Sequence, residues 1–258
     1  GEFKTEEAIV LQNGSFEEWS TIETKGLTGT RQSAYPNASS SVNFWDTSNA
    51  GANYMSLKNP TQSETVAVHS PGKAAKLTSV VNGAFAAASL YTGTFGSIDF
   101  SSFGATLTFG QSFSARPIIL RGFYKYKPAN VDNVGTNLPA DATVSKGNPD
   151  QCSIYIALAQ KSYLINNKDE DSFIKFADDP NIIAYGELPS GSATEGDDYV
   201  EFNIPLKYKK KAFDKKPTHI IIVCSASKYG DYMTGGKGST LYLDDFELIY
   251  DGEPTIWK

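Results

Sequence analysis

Tyr229, Asp231 and Tyr232 stand together in a loop that also holds Gly230, Gly235, Gly236 and Gly238. Two phenol rings around one carboxylate suit a ligand with apolar C–H faces and many hydroxyls, because rings stack on the faces and the carboxylate accepts from the hydroxyls. The glycines mark backbone that needs positive φ or close approach. A second group of the same character is Trp45, in the polar run Asn43-Phe44-Trp45-Asp46, with Asn49, Asn53 and Tyr54 close behind. An aromatic in a polar loop points to ligand contact more than one in a strand does. Trp19 reads as core, and Trp257 as a tail residue ordered by local packing. Arg121 lies mid-strand, placed either to reach a ligand across a sheet surface or to pair with a carboxylate.

Catalytic patterns are weaker. A glycosidase needs two carboxylates about 5–5.5 or 6.5–9.5 Å apart; the chain has 29 acidic residues, and their spacing singles out no pair. His69 and His219 are the two histidines, and neither sits in a nucleophile-elbow context. Two Cys and two His exclude a Cys/His zinc site of ordinary spacing. Cys152 and Cys224 fall in strand-like runs and read as buried thiols; a disulfide would require neighbouring strands of the right geometry. A net charge of −6 argues against a nucleic-acid partner. No apolar run approaches the ~18 residues of a membrane helix.

The elements that must position these residues are strands. Gly, Pro and polar turn residues are abundant, aromatics make up 12 % of the chain, and long helical periodicity is nearly absent. Alternation predicts a hairpin over 65–81, turning at Pro71-Gly72, and strands over 105–113, 118–126, 151–159, 199–208 and 240–250. Leu120, Gly122, Tyr124 and Tyr126 share one face of their strand. Residues 217–226 are apolar almost throughout, as in a central strand buried on both faces. Residues 20–64 read as a long functional loop, 128–149 as another, and 166–179 as a charged segment with a helical turn. Lys207 to Lys216 includes six lysines and reads as a solvated edge strand. In 240–250, alternation puts Tyr242, Asp244, Phe246 and Leu248 on one face, with Phe246 and Leu248 making it the core side. An unpaired carboxylate there would cost several kcal/mol, so Asp244 calls for a cation, an Arg/Lys partner or backbone N–H donors. One domain of about ten strands follows: an all-β, jelly-roll β-sandwich.

NGSFEEW at 13–19, SLYTGTF at 89–95, RPIILRGFYKYKP at 116–128 and the run 225–250 resemble the putative carbohydrate metabolism domain family of gut Bacteroidetes. The two ends also resemble the terminal strands of jelly-roll carbohydrate-binding modules. The resemblance spans about 13–250, with 1–12 as lead-in and 251–258 as tail. It implies a galactose-binding-like sandwich whose first and last strands lie side by side. It also implies a structural calcium held by Glu17 and Asp244, with Asn13 and Ser15 completing the shell. The expected function is non-catalytic glycan binding by a monomeric domain of an exported or cell-surface protein, lipid-anchored through a segment ahead of residue 1. The alternatives are a glycoside hydrolase or polysaccharide lyase working on the sheet face, and a structural or adhesion domain. The ligand contacts expected are Trp45, Tyr54, Arg121, Tyr229, Asp231 and Tyr232.

Overall fold

The computed structural model describes residues 7–55, 58–99 and 104–257. Most of the expected lead-in (1–6) and Lys258 of the tail lie outside them. Two sheets stack face to face. The smaller one runs Val200–Pro205, Ile119–Lys127, Thr240–Ile249, Ala74–Thr78, Thr61–Glu64. The larger runs Tyr163–Asn166, Gly104–Phe109, Ser89–Asp99, His219–Ser225, Ser153–Ala159, Ile182–Glu187, Lys207–Lys209, Thr255–Trp257. Trp45–Thr47 and Gln111–Ser112 add short pairings to Ser89–Asp99 and His219–Ser225. This is the expected jelly-roll β-sandwich.

The main core lies between the sheets. Ile154, Ile156, Leu158, Ile220 and Ile222 of the larger sheet meet Leu120, Tyr126, Leu241 and Leu243 of the smaller. The run 220–223 is buried on both faces, as its composition requires, because Ile221 and Val223 belong to a second cluster on the far side. Tyr91, Phe109, Ala157 and Ala159 share that second cluster, and Phe173, Ile174 and Phe176 pack onto it from the segment 166–179. The helical turn expected there is the short 3-10 helix Glu170–Ser172.

Several expectations are corrected. Residues 20–64 are not a loop: they contain the hairpin Ser20–Gly26/Gly29–Tyr35, the strand Trp45–Thr47 and the helix Asn49–Tyr54. Half-exposed strands with few apolar side chains carry little periodicity, which hid them. In the 65–81 region the paired strands are Thr61–Glu64 and Ala74–Thr78, and 65–73 is the connection between them. The lysine-rich Lys207–Lys209 is not an edge, since Thr255–Trp257 pairs with it in parallel.

The closing strand Thr240–Ile249 departs from simple alternation. Leu241 and Leu243 are fully buried in the core, as are Phe246 and Leu248 nearly so. Both pairs can face inward because Asp245 adopts φ 49° and the register to Ile119–Lys127 shifts there. Such a bulge inverts the side-chain phase along a strand. Asp244 therefore sits on the outer face of the smaller sheet, not toward the core, and the connection 65–73 covers it.

Candidate functional site

The smaller sheet's outer face explains the terminal carboxylates. Asp244 is fully buried and accepts from His69 N at 2.8 Å, Ser70 N at 3.3 Å and Asp245 N at 2.9 Å. Burial still pushes its carboxyl above the ordinary range, against the lowering pull of these N–H donors. Glu17 takes Lys73 N on both carboxylate oxygens at 3.0 Å. It lies so close to Gly72, at φ 139°, that a Cβ there would meet the carboxylate at 2.3 Å. The two terminal segments do meet, through Phe246 N donating to Gly14 O at 2.8 Å. Asn13 builds the turn: its side chain bonds Glu18 N, Glu18 O and Pro36 O, and its carbonyl accepts from Phe16 N. Ser15 is exposed.

This donor set does not fit calcium. Each carboxylate faces backbone N–H groups, whose positive ends oppose a cation, whereas calcium needs converging oxygens. Among the described residues there is no group of three or more His, Cys, Asp or Glu able to hold a metal ion. Of the three compensations Asp244 called for, backbone N–H donors are the one present. Nearby, Ser70, His69 and Asp245 form no catalytic relay. Asp245 and Ser70 Oγ both approach the same ring atom, His69 Nδ1, at 2.9 and 3.4 Å, whereas a relay needs them on opposite ring nitrogens.

The expected ligand residues separate. Trp45 is fully buried in the main core, with Phe16 at 5.5 Å and its indole N–H on Gln12 O at 2.7 Å. It has no surface to offer a ligand; its polar neighbours misled because Asn37 holds the strand backbone through both Trp45 N and Trp45 O. Asn49 and Asn53 tie the helix Asn49–Tyr54 to its neighbours, Asn49 through Ala34 O, Thr61 O and Thr61 N, and Asn53 through Ser33 Oγ. Tyr54, at the helix end, is half-buried and accepts Leu27 N on its carbonyl. Arg121 pairs with Glu247 across the outer face of the smaller sheet. Tyr229 is 9 % exposed and packs on Val131 and Val144, with its hydroxyl accepting Thr143 N at 3.1 Å; it anchors the loop 129–149. Tyr232 packs edge-on against Phe173.

Asp231 is different. It is the middle residue of the 3-10 turn Gly230–Tyr232, closed by Met233 N on Gly230 O at 2.9 Å with Met233 at φ 53°. It opens onto a cavity of about 170 Å³ on the far face of the larger sheet. The floor is Tyr91, Leu107, Phe109, Tyr155 and Val223. One wall is the helix, with Gly51, Ala52 and Met55; another is the strand turn Ala84 to Ala87; Asp231 and Lys228 stand at the third. Gly230 is obligatory here, because a Cβ would lie 2.2 Å from Ala87 Cβ. Asp231 is exposed to the cavity yet hemmed in by protein, and this desolvation alone raises its carboxyl above the ordinary range. No described residue gives it a hydrogen bond. Nor does any described residue hydrogen-bond the Tyr155 hydroxyl; burial, then the Asp231 charge, hold it well above an ordinary tyrosine, so it stays protonated. The sequence singles out Asp231 as a candidate but gives no sign of Tyr155, Tyr91 or the alanine-rich wall beyond the small, apolar run after Val81.

The glycine loop is held from below by a residue that no motif announced. Asp150 is 1 % exposed and accepts from Ser227 Oγ, Gly236 N and Ser239 Oγ at 2.7–2.8 Å. Cys152 and Cys224 are buried free thiols, as expected.

Fold and site define a single class: a β-sandwich with a roofed cavity on the outer face of its larger sheet. The chain belongs to the putative carbohydrate metabolism domain family, whose model matches residues 15–249. It is similar in structure to a protein of Bacteroides thetaiotaomicron described as a putative glycoside hydrolase, at 22 % identity and TM-score 0.62, covering 96 % of this chain and 73 % of that one. A Bacteroides vulgatus protein with the same description matches at 21 % identity and TM-score 0.61, covering 94 % of this chain and 98 % of that one. At these identities the likeness concerns the fold. Among curated proteins none matches the chain. No helix of the described residues is long and apolar enough to cross a membrane.

Proposed function

We propose that this domain binds carbohydrate without cleaving it, at the cavity beside Asp231. The observation that carries the reading is a carboxyl and a phenol, Asp231 and Tyr155, that both line one aromatic-walled cavity and take no hydrogen bond from the other described residues. Sugar hydroxyls need such unclaimed hydrogen-bonding groups next to ring faces. Among the described residues Asp231 is the only acidic side chain lining the cavity, and hydrolysis of the ordinary kind uses two carboxylates. On this reading the domain works outside the cell or on its surface as part of polysaccharide use.

A hydrolase is the second reading, favoured by one fact: the raised Asp231 carboxyl has the property a general acid needs. A glycan array run beside a reducing-sugar assay separates the two. Binding without product, abolished by Asp231→Ala at an unchanged melting temperature, supports the binding domain. Product release lost in Asp231→Asn supports the hydrolase. Undiminished glycan retention by Asp231→Ala would remove the site from both.

A further inference from the structure

The cavity is made by missing side chains. Gly51, Ala52, Ala84, Ala86, Ala87 and Ala105 all line it, and larger residues at these places would fill it. Its lining is largely apolar, and the polar side chains that share it are mostly engaged already: Ser48 Oγ with Ser89 N, Ser225 Oγ with Ser227 O, Ser227 Oγ with Asp150 and Asn167 Oδ1 with Ala105 N. Its charged groups are confined to one side, where Lys228 and Asp231 are both exposed and mark the mouth. The Tyr91 hydroxyl already donates to Thr47 O at 3.3 Å.

This distribution is a poor match for an unmodified sugar ring. A pyranose carries hydroxyls around its whole rim, and each one buried without a partner costs roughly 1–3 kcal/mol. Filling the interior with a bare ring would leave several hydroxyls against Phe85, Phe109 and the alanines. An arene meets the opposite conditions. It has no hydroxyls to satisfy, and ring walls favour it through offset and edge contacts. The volume, space for on the order of ten waters, accommodates one such ring with the sugar left at the mouth.

We propose that the ligand is a sugar bearing an aromatic substituent, with the arene seated among Phe95, Tyr155 and the Ala84–Ala87 wall and the sugar held at the mouth by Asp231 and Lys228. The inference rests on the carbohydrate reading above and adds the chemical class of the ligand. It is distinct from the flat aromatic platform expected of a polysaccharide-binding surface, since the arene here belongs to the ligand.

Calorimetry with matched pairs of 4-nitrophenyl and methyl glycosides, over a panel of common sugars, tests it. The 4-nitrophenyl member of the binding pair is expected to bind at least tenfold more tightly. Ala86→Leu, folded with the parent's circular dichroism, is expected to erase that gain; should it fail to fold, Ala105→Leu, on the strand that carries Leu107 and Phe109, gives the same test. Equal affinity within a pair, or a gain that survives both variants, overturns the proposal while leaving carbohydrate binding intact. An equal gain from butyryl esters of the same sugars overturns the aromatic preference. Free 4-nitrophenol binding as tightly as its glycosides overturns the carbohydrate reading instead, since the sugar would then contribute nothing. No binding by any member of the panel overturns both.

Discussion

Asp46 and Asp231 are two carboxyls that burial pushes upward, and both act on the Tyr91 phenol between them. Their environments assign them different work. Asp46 is 8 % exposed and accepts Thr47 N and Phe95 N, each at 2.7 Å. Those bonds lower its carboxyl and burial outweighs them, leaving it at about 6. The folded chain thus holds this proton more tightly than the unfolded chain does. Asp46 lends stability below the unfolded value near 3.8, and that stability is lost as pH rises to about 6. A rise of this size corresponds to on the order of 3 kcal/mol. Asp46→Asn, which has no proton to lose, should show a flatter midpoint-against-pH curve between pH 4 and 6 in chemical denaturation. Asp231 has no N–H donor among the described residues and faces the cavity, so on the proposed reading it serves ligand and not fold: Asp231→Ala should keep the melting temperature within a degree or two while losing glycan retention. Trp45 makes the converse case. Wholly enclosed beside Phe16, it should cost about 3–5 kcal/mol as Trp45→Ala in chemical denaturation, and any loss of binding should follow the loss of fold.

Single connections between elements carry much of the architecture. The loop 65–73 holds both terminal carboxylates, Glu17 through Lys73 N and Asp244 through His69 N and Ser70 N. It fastens the first segment and the closing strand in the place where a cation was expected. Asp244→Ala leaves three backbone donors without their acceptor and should lower stability by about 2–4 kcal/mol; in the parent, chelator should leave the melting temperature unchanged. A chelator-induced fall of several degrees would show that metal contributes after all. Asp150 plays the matching part under the glycine loop, with three donors from Ser227, Gly236 and Ser239. Asp150→Ala should destabilise by about 3–5 kcal/mol, and by loosening the turn that carries Asp231 it should weaken ligand binding even below the melting transition. The comparison with Asp231→Ala distinguishes holding the loop from touching the ligand.

At the scale of the molecule, the larger sheet is the shared wall of two apolar clusters. Ile220 and Ile222 serve the core between the sheets, and Ile221 and Val223 the cluster beneath the cavity. Neither cluster persists without the strand His219–Ser225, so thermal unfolding followed by near- and far-ultraviolet circular dichroism should give coincident single transitions. A ligand in the cavity binds the folded state alone and should raise that one transition.

Much of this was legible in the residues. Turn-rich composition and alternation specified an all-β sandwich, the run 220–223 specified a strand buried on both faces, and the two phenols beside Gly230 marked Asp231 as a candidate. These are local properties, set by neighbours one, two or four positions away. The phase of the closing strand was not legible, because one residue at positive φ, Asp245, inverts which side chains face inward, and an aspartate does not announce that conformation. Nor were the burial of Trp45 and Tyr229, since a polar sequence neighbourhood says nothing about what other strands bring overhead. The cavity depended wholly on the tertiary structure. It is a space left between small residues of a helix, a hairpin and a sheet that are far apart in the chain, and an absence of side chains becomes a site only once the walls around it are assembled.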